Sequence, residues 1–441
     1  MELTRLSAGE AAAAVRAGTL TAEALVRACL GRIAELEEQL GAWAYLDPDY
    51  AVSQARRADQ HRRDGEALGP LHGVPVGVKD IFDTADMPTE NGTVLHAGRQ
   101  PTEDATAVSL LRQAGAIVLG KTVTTELAVY SPGKTTNPHD PRRTPGGSSS
   151  GSAAAVAAFM VPVALGSQTN GSVLRPASYC GVYGYKPTYG LISRHGALGQ
   201  SPPLDQVGVF GRSVEDVALL AESLMAFDSR DPAMRPRAHA RLLAGLAAEP
   251  PTEPRLAFVR TPAWDRADDE TRRALARLVE RLGPRVVEVA LPPMFDEAIG
   301  WHRTIMEADL AKSFAGEYAT GKDRLSSVLR AMIDRGHECR AVDYNRALEG
   351  IPRLNEALDP IFQSCDAILA PVTTGAAPLG LESTGSPIFC TIWTLCGVPA
   401  ISLPLLHDAA GMPMGVQLVG RRGDDGRLLR TARWLAQRGS A

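Results

Sequence analysis

The chain has no paired-cysteine motif. Its six cysteines (Cys29, Cys180, Cys339, Cys365, Cys390 and Cys396) are scattered, and none forms CxxC. Nothing therefore points to a disulfide framework or a zinc site. The nine histidines lack HExxH or HxxxH spacing, which removes the common helical metal motifs. Excess charge is missing too: 46 basic residues face 50 acidic ones, for a net charge of -4. That balance argues against a general nucleic-acid or membrane-surface role. The pairs Arg56-Arg57 and Arg62-Arg63 are interleaved with Asp and Glu, as on a solvated helix face. "MELTRLSAGEAAAAV" carries no apolar signal core. No uninterrupted apolar run is long enough to cross a bilayer. The expectation is a cytoplasmic enzyme without metal or cofactor, acting on a small molecule; a homodimer stays open.

What is present is ordinary globular material. The 441 residues are 44% hydrophobic and 22% charged, enough for a large core. "TAEALVRACLGRIAELEEQL" (21–40) sets Leu25, Cys29, Ile33, Leu36 and Leu40 on one helical stripe, with Thr21 as N-cap. "HGVPVGVKD" (72–80) predicts a short buried strand with Lys79 at its C-terminal end. A helix over 104–115 closed by Gly115, then a strand over 116–120, suggests α/β architecture with a largely buried sheet. "VPVALG" (161–166) predicts another strand, and "SQTNGSVLRPAS" (167–178) a loop. Further strands are expected within 250–260, 285–293, 397–405 and 411–420, and a final helix over about 425–437 capped by Asp424 or Asp425.

Three motif matches fail on context. "GAIVLGKT" (115–122) fits the P-loop pattern, but its middle residues are the strand itself and a helix precedes them. "GSSSG" (147–151) fits the nucleophile elbow, yet "NPHDPRRTP" before it cannot be a central strand. "SPGK" (131–134) fits SxxK without a following helix.

The stretch "TPGGSSSGSAAAVAAF" (144–159) has the composition of a tether but runs directly into strong helix formers. Small side chains all round imply a tightly packed helix, so the loop sits at a buried helix N-terminus. A short helix and a returning strand cover comparable distances. Ser148 and Ser172, 24 residues apart, can therefore be neighbours, and Lys79 can reach the same sheet edge. Two serines and a lysine suffice for a nucleophile and its base.

"GGSSSGSAAAVAA" followed by "ALGSQTNGSVLRPASYCGVYGYKPTYG" resembles the amidase signature family. "GVPVGVKD", "SPPLDQVGVFGRSVEDVALL" and "GVPAISLPL…GMPMGVQLVG" are also similar to family segments. The likeness covers about 21–46, 66–220 and 385–436 and is loose over 225–380. It implies a single α/β/α domain over 1–441 with a mixed central sheet flanked by helices. Within it lie a catalytic core at about 66–220, a divergent substrate-shaping segment at about 225–380, and C-terminal strands and helix at 385–437.

The resemblance further implies a Ser–Ser–Lys triad: Ser172 as nucleophile, Ser148 as bridge after a cis peptide at Gly147–Ser148, and Lys79 as base. The backbone N–H groups of Thr169, Asn170, Gly171 and Ser172 would form the oxyanion hole. Gln168 and Asn170 stand where the family usually has Asp and Gly. Gln168 resembles a malonamidase-like subgroup in which an arginine at the position of Arg175 grips a substrate carboxylate. Tyr130 is a second candidate for the pocket lining, and His195 and His302 are possible contacts. The expected reaction is hydrolysis of a small carboxamide through an acyl-enzyme, with acid amides one option. The alternatives are the amidase subunit of a tRNA-dependent amidotransferase, a hydrolase of carbamoyl compounds such as allophanate or biuret derivatives, and a binding protein on an inactive fold.

Overall fold

The computed structural model describes residues 2–238, 241–248, 250 and 252–439. Eleven strands make one mixed sheet among the described residues. In chain order they are β1 Trp43–Leu46, β2 Pro75–Lys79, β3 Ile117–Thr122, β4 Val163–Gln168, β5 Tyr183–Lys186, β6 Gln206–Gly211, β7 Leu256–Val259, β8 Val286–Val289, β9 Ala367–Pro371, β10 Ala400–His407 and β11 Pro413–Val419. Across the sheet the order is β1-β3-β2-β4-β6-β5-β10-β11-β9-β7-β8. β2 runs parallel to both β3 and β4, while β4 and β6 are antiparallel.

Helices cover both faces, as the alternation of strand side chains requires. Along β9, Ala367 and Leu369 join one core cluster and Ile368 the other. The first cluster is packed by the helices Ala22–Leu40, Ser150–Ala157, Val214–Leu224 and Asp425–Gly439. The second is packed by Ala298–Ser313, Ser327–His337, Ala341–Ser364 and Ile388–Leu395. Of the expected stripe, Leu25, Cys29, Ile33 and Leu40 are buried and Leu36 is partly buried, and Thr21 Oγ1 accepts from Ala24 N. Gly115 ends its segment at φ 81°. No helix among the described residues is long and apolar enough to cross a membrane.

One expectation shifts and another narrows. The loop over 167–178 stops early, because Leu174–Cys180 is a helix. Pro176 falls in its first turn, where its missing N–H costs no helical bond. Of the two cap candidates, Asp424 holds the position before the last helix, its carbonyl accepting from Leu428 N at 3.2 Å, whereas the Asp425 carboxylate takes hydrogen bonds from Tyr185 Oη at 2.6 Å and from Thr188 N and Oγ1. Pro251, in the loop expected before β7, lies outside the described residues.

Candidate active site

Topology sets the state of Lys79. It ends β2, a strand paired on both sides, and it is 0% exposed. A cation there loses its hydration. Burial accordingly holds the Lys79 amine well below its ordinary pKa, reinforced by the Arg175 charge and opposed by Asp205. Lys79 Nζ lies 2.8 Å from Ser148 Oγ and 2.8 Å from Ser167 Oγ. An uncharged amine can serve both: an N–H donates to one hydroxyl while the lone pair accepts from the other.

Ser148 is held from behind. The Gly147–Ser148 peptide is cis, and the Ser148 carbonyl accepts from Thr125 N at 3.2 Å. The segment Ser150–Val156 of the following helix is buried throughout. Ser152 Oγ donates to the Leu165 carbonyl of β4 at 2.9 Å, tying helix to sheet.

The loop bearing Ser172 follows β4. Arg175 connects it to the cis peptide: Arg175 N donates to Gly171 O at 2.9 Å, and its Nη2 donates to Gly147 O at 2.6 Å. Thus the residue before each serine is bound to Arg175. The Arg175 guanidinium is fully buried, and Nη1 donates to Gly385 O at 2.9 Å. Nη1 and Nη2 each spend one N–H on these carbonyls, and the buried Nε–H of Arg175 has no hydrogen-bond partner among the described residues.

Carbonyls of the loop are engaged one by one. Thr169 O faces His302 Nε2 at 2.9 Å, Asn170 O accepts from Thr394 Oγ1 at 2.5 Å, and Gly171 O accepts from Arg175 N. The backbone N–H groups of Thr169, Asn170, Gly171 and Ser172 meet no backbone acceptor outside the regular elements, among the described residues. Gly171 has no room for a side chain, since a Cβ would lie 2.8 Å from Pro387 Cβ.

Gln168 organises the turn after the loop. Its Oε1 accepts from Val173 N at 2.8 Å and Leu174 N at 3.0 Å, and its Nε2 donates to Thr394 Oγ1 at 2.9 Å. The short helix Leu174–Cys180 is thus capped by a side chain without charge.

Two cavities flank the loop. One, of about 400 Å³, is walled by Tyr130, Asn170, His302, Met306, Thr391 and Pro387 among others. Asn170 Nδ2 donates to Tyr130 Oη at 2.9 Å, and Thr391 Oγ1 donates to Asn170 Oδ1 at 2.8 Å. Burial lowers His302 to about 4, so its ring is neutral at physiological pH. The other cavity, of about 240 Å³, is walled by Ser167, Thr169, His195 and Asp205. Burial pushes Asp205 up to about 6 although Thr169 Oγ1, Gln200 N and Ser201 N all donate to it.

The structure brings Lys79 and Ser148 into contact and links the Ser148 and Ser172 loops through Arg175. Tyr130 and Asn170 share a cavity wall, whereas His195 lines the other cavity. Sequence reasoning missed Ser167, Asp205 and the Thr391–Thr394 pair. Ser167 sits inside the quoted "GSQTNGS", but only the register of β2 against β4 puts it at the lysine tip. Lys121 of the P-loop-like stretch is buried in β3, 3.2 Å from Asp80.

The Amidase family matches the chain over residues 24–429, and the chain belongs to that family of amide hydrolases. It is 36% identical to one component of the glutamyl-tRNA(Gln) amidotransferase of Anaeromyxobacter sp. (strain K), over 98% of this chain and 96% of that one. The fold is similar to peptide amidase from Stenotrophomonas maltophilia, with TM-score 0.85 and 30% identity over 99% of this chain and 97% of that one. It is also similar to 6-aminohexanoate cyclic dimer hydrolase, with TM-score 0.88 and 26% identity over 99% and 98% of the two chains.

Proposed function

We propose that the chain hydrolyses a small carboxamide to a carboxylate and ammonia, with Ser172 as nucleophile, Ser148 as proton bridge and Lys79 as base. The observation that carries this reading is a wholly buried lysine amine 2.8 Å from the Ser148 hydroxyl. Neutral Lys79 takes the Ser148 proton, Ser148 takes the Ser172 proton, and Ser172 Oγ attacks the amide carbon. The N–H groups of Thr169 to Ser172 receive the developing oxyanion, in a site where donors are fixed before the charge appears. The relay then returns a proton to the leaving nitrogen, and ammonia departs. Water attacks the resulting ester by the same relay, which frees the acid and restores Ser172.

Substrate occupies the cavity walled by Tyr130 and Asn170. The Asn170 side chain fills space beside the nucleophile that a glycine would leave open. We read Arg175 as a strut that fixes the Gly147 carbonyl, a role supported by its burial and its two carbonyl partners.

Partitioning with hydroxylamine tests the acyl-enzyme. An amide and an ester of the same acid must yield the same ratio of hydroxamate to free acid. A ratio that depends on the leaving group would rule out a common intermediate. A second reading, the amide-hydrolysing component of a tRNA-dependent amidotransferase, is favoured by the 36% identity to such a component over almost the whole chain. Co-purification of partner proteins, with glutamine as the one efficient substrate, would select it.

A further inference from the structure

The charges around the Tyr130–Asn170 cavity do not cancel. Three ionised side chains belong to its wall: Arg303, Glu307 and Arg335. Glu307 is spoken for. Arg335 Nε lies 3.1 and 3.0 Å from its two oxygens, and Arg335 Nη2 donates to Oε1 at 2.5 Å. That bidentate pair consumes one positive and one negative charge. Arg303 remains, exposed at the cavity mouth, with no carboxylate within ion-pair distance among the described residues. The neighbouring titratable ring, His302, is held neutral by burial. Arg175, the other guanidinium near Tyr130, is fully buried and does not belong to this cavity's wall. The cavity therefore presents one uncompensated cation, placed on the Ala298–Ser313 helix and not beside the nucleophile.

Resting on the function proposed above, we infer that Arg303 is a specificity-determining residue that binds an anionic group on the acyl portion of the substrate, remote from the scissile amide. The acyl portion is implicated because ammonia, as leaving group, carries nothing for Arg303 to hold. A guanidinium recognises a carboxylate with two parallel N–H donors. Such a contact is equally present in ground and transition states, so it acts on KM more than on kcat.

The test compares ω-carboxy amides (succinamate, glutaramate, adipamate and suberamate) with the neutral diamides of equal length, in the wild-type chain and in Arg303→Gln. The expected result is a preference in kcat/KM of about tenfold or more for the charged compound at one or more lengths in the wild type. In Arg303→Gln that preference falls at least fivefold, mainly through KM, while kcat/KM for the matching diamide stays within about twofold. Added salt weakens the wild-type preference and leaves the diamide rate unchanged, because exposed charges are screened. A ratio near one at every length in the wild type, or an unchanged ratio in the variant, overturns the inference. A chain that cleaves none of the eight compounds and fails to form any covalent adduct at Ser172 with a fluorophosphonate loses the amidase reading itself, and this inference with it.

Discussion

Replacing Gln168 by alanine removes the uncharged cap that follows the Ser172 loop. Three hydrogen bonds disappear: those from Val173 N and Leu174 N to Oε1, and that from Nε2 to Thr394 Oγ1. Gln168 is 0% exposed, so water cannot replace it without entering the core. Each orphaned buried N–H costs about 1–3 kcal/mol, which gives about 2–6 kcal/mol for the pair. That is a large fraction of the stability of a typical folded chain. Thr394 also loses the partner that orients its hydroxyl toward Asn170 O, so the N–H groups of the loop lose their aim. A displacement of about 1 Å in such a site lowers the rate by about 10²-fold. Gln168→Glu keeps an acceptor at the same place and is expected to retain more stability than Gln168→Ala. The assays are the guanidinium midpoint followed by tryptophan fluorescence, and kcat/KM on one amide. If Gln168→Ala unfolds within about 0.5 kcal/mol of wild type and keeps its rate, the cap does not organise the site and the reasoning is wrong.

Four other outcomes follow from the same geometry. Activity rises with pH as Lys79 loses its proton, with a midpoint well below the ordinary lysine value, because burial disfavours the cation. Asp205, ionised above about 6, opposes that shift, so Asp205→Asn moves the acid limb of kcat/KM to lower pH; movement to higher pH contradicts the assignment. Arg175→Lys reaches at most one of the carbonyls of Gly147 and Gly385 conveniently, and is expected to lower kcat at least tenfold with a loss of about 1–3 kcal/mol in stability; unchanged kcat and unfolding midpoint would remove its role as a strut. Asn170→Gly breaks the contacts with Tyr130 and Thr391 and opens the cavity, so relative kcat/KM shifts toward bulkier acyl groups across a homologous amide series.

The parts of the site that were legible in the sequence are those encoded by short contiguous runs. The strand ending in Lys79 and the small-residue helix after Ser148 are local patterns, and their juxtaposition follows from chain length alone. The lysine's second hydroxyl partner was not legible, because Ser167 reaches it only through the parallel register of β2 and β4. The helix Leu174–Cys180 was hidden for a related reason. Its cap comes from Gln168, outside the helix and behind a Gly-containing loop, and Pro176 reads locally as a breaker. Asn170 was visible as an unusual residue, but its contacts with Tyr130 and Thr391 join segments 40 and 221 residues away. Arg175 was singled out by position, whereas its burial depends on Gly385, 210 residues distant. Long-range partners of this kind leave no periodic trace in the chain.

The central claim is that Ser172 is the group that Lys79 activates through Ser148. Fluorophosphonate labelling of the intact chain, followed by peptide mapping, tests it most directly. The account predicts one adduct per chain, on Ser172, absent in Ser172→Ala and formed much more slowly in Lys79→Ala and Ser148→Ala. An adduct on any other residue, or undiminished labelling of Ser172→Ala, would contradict it.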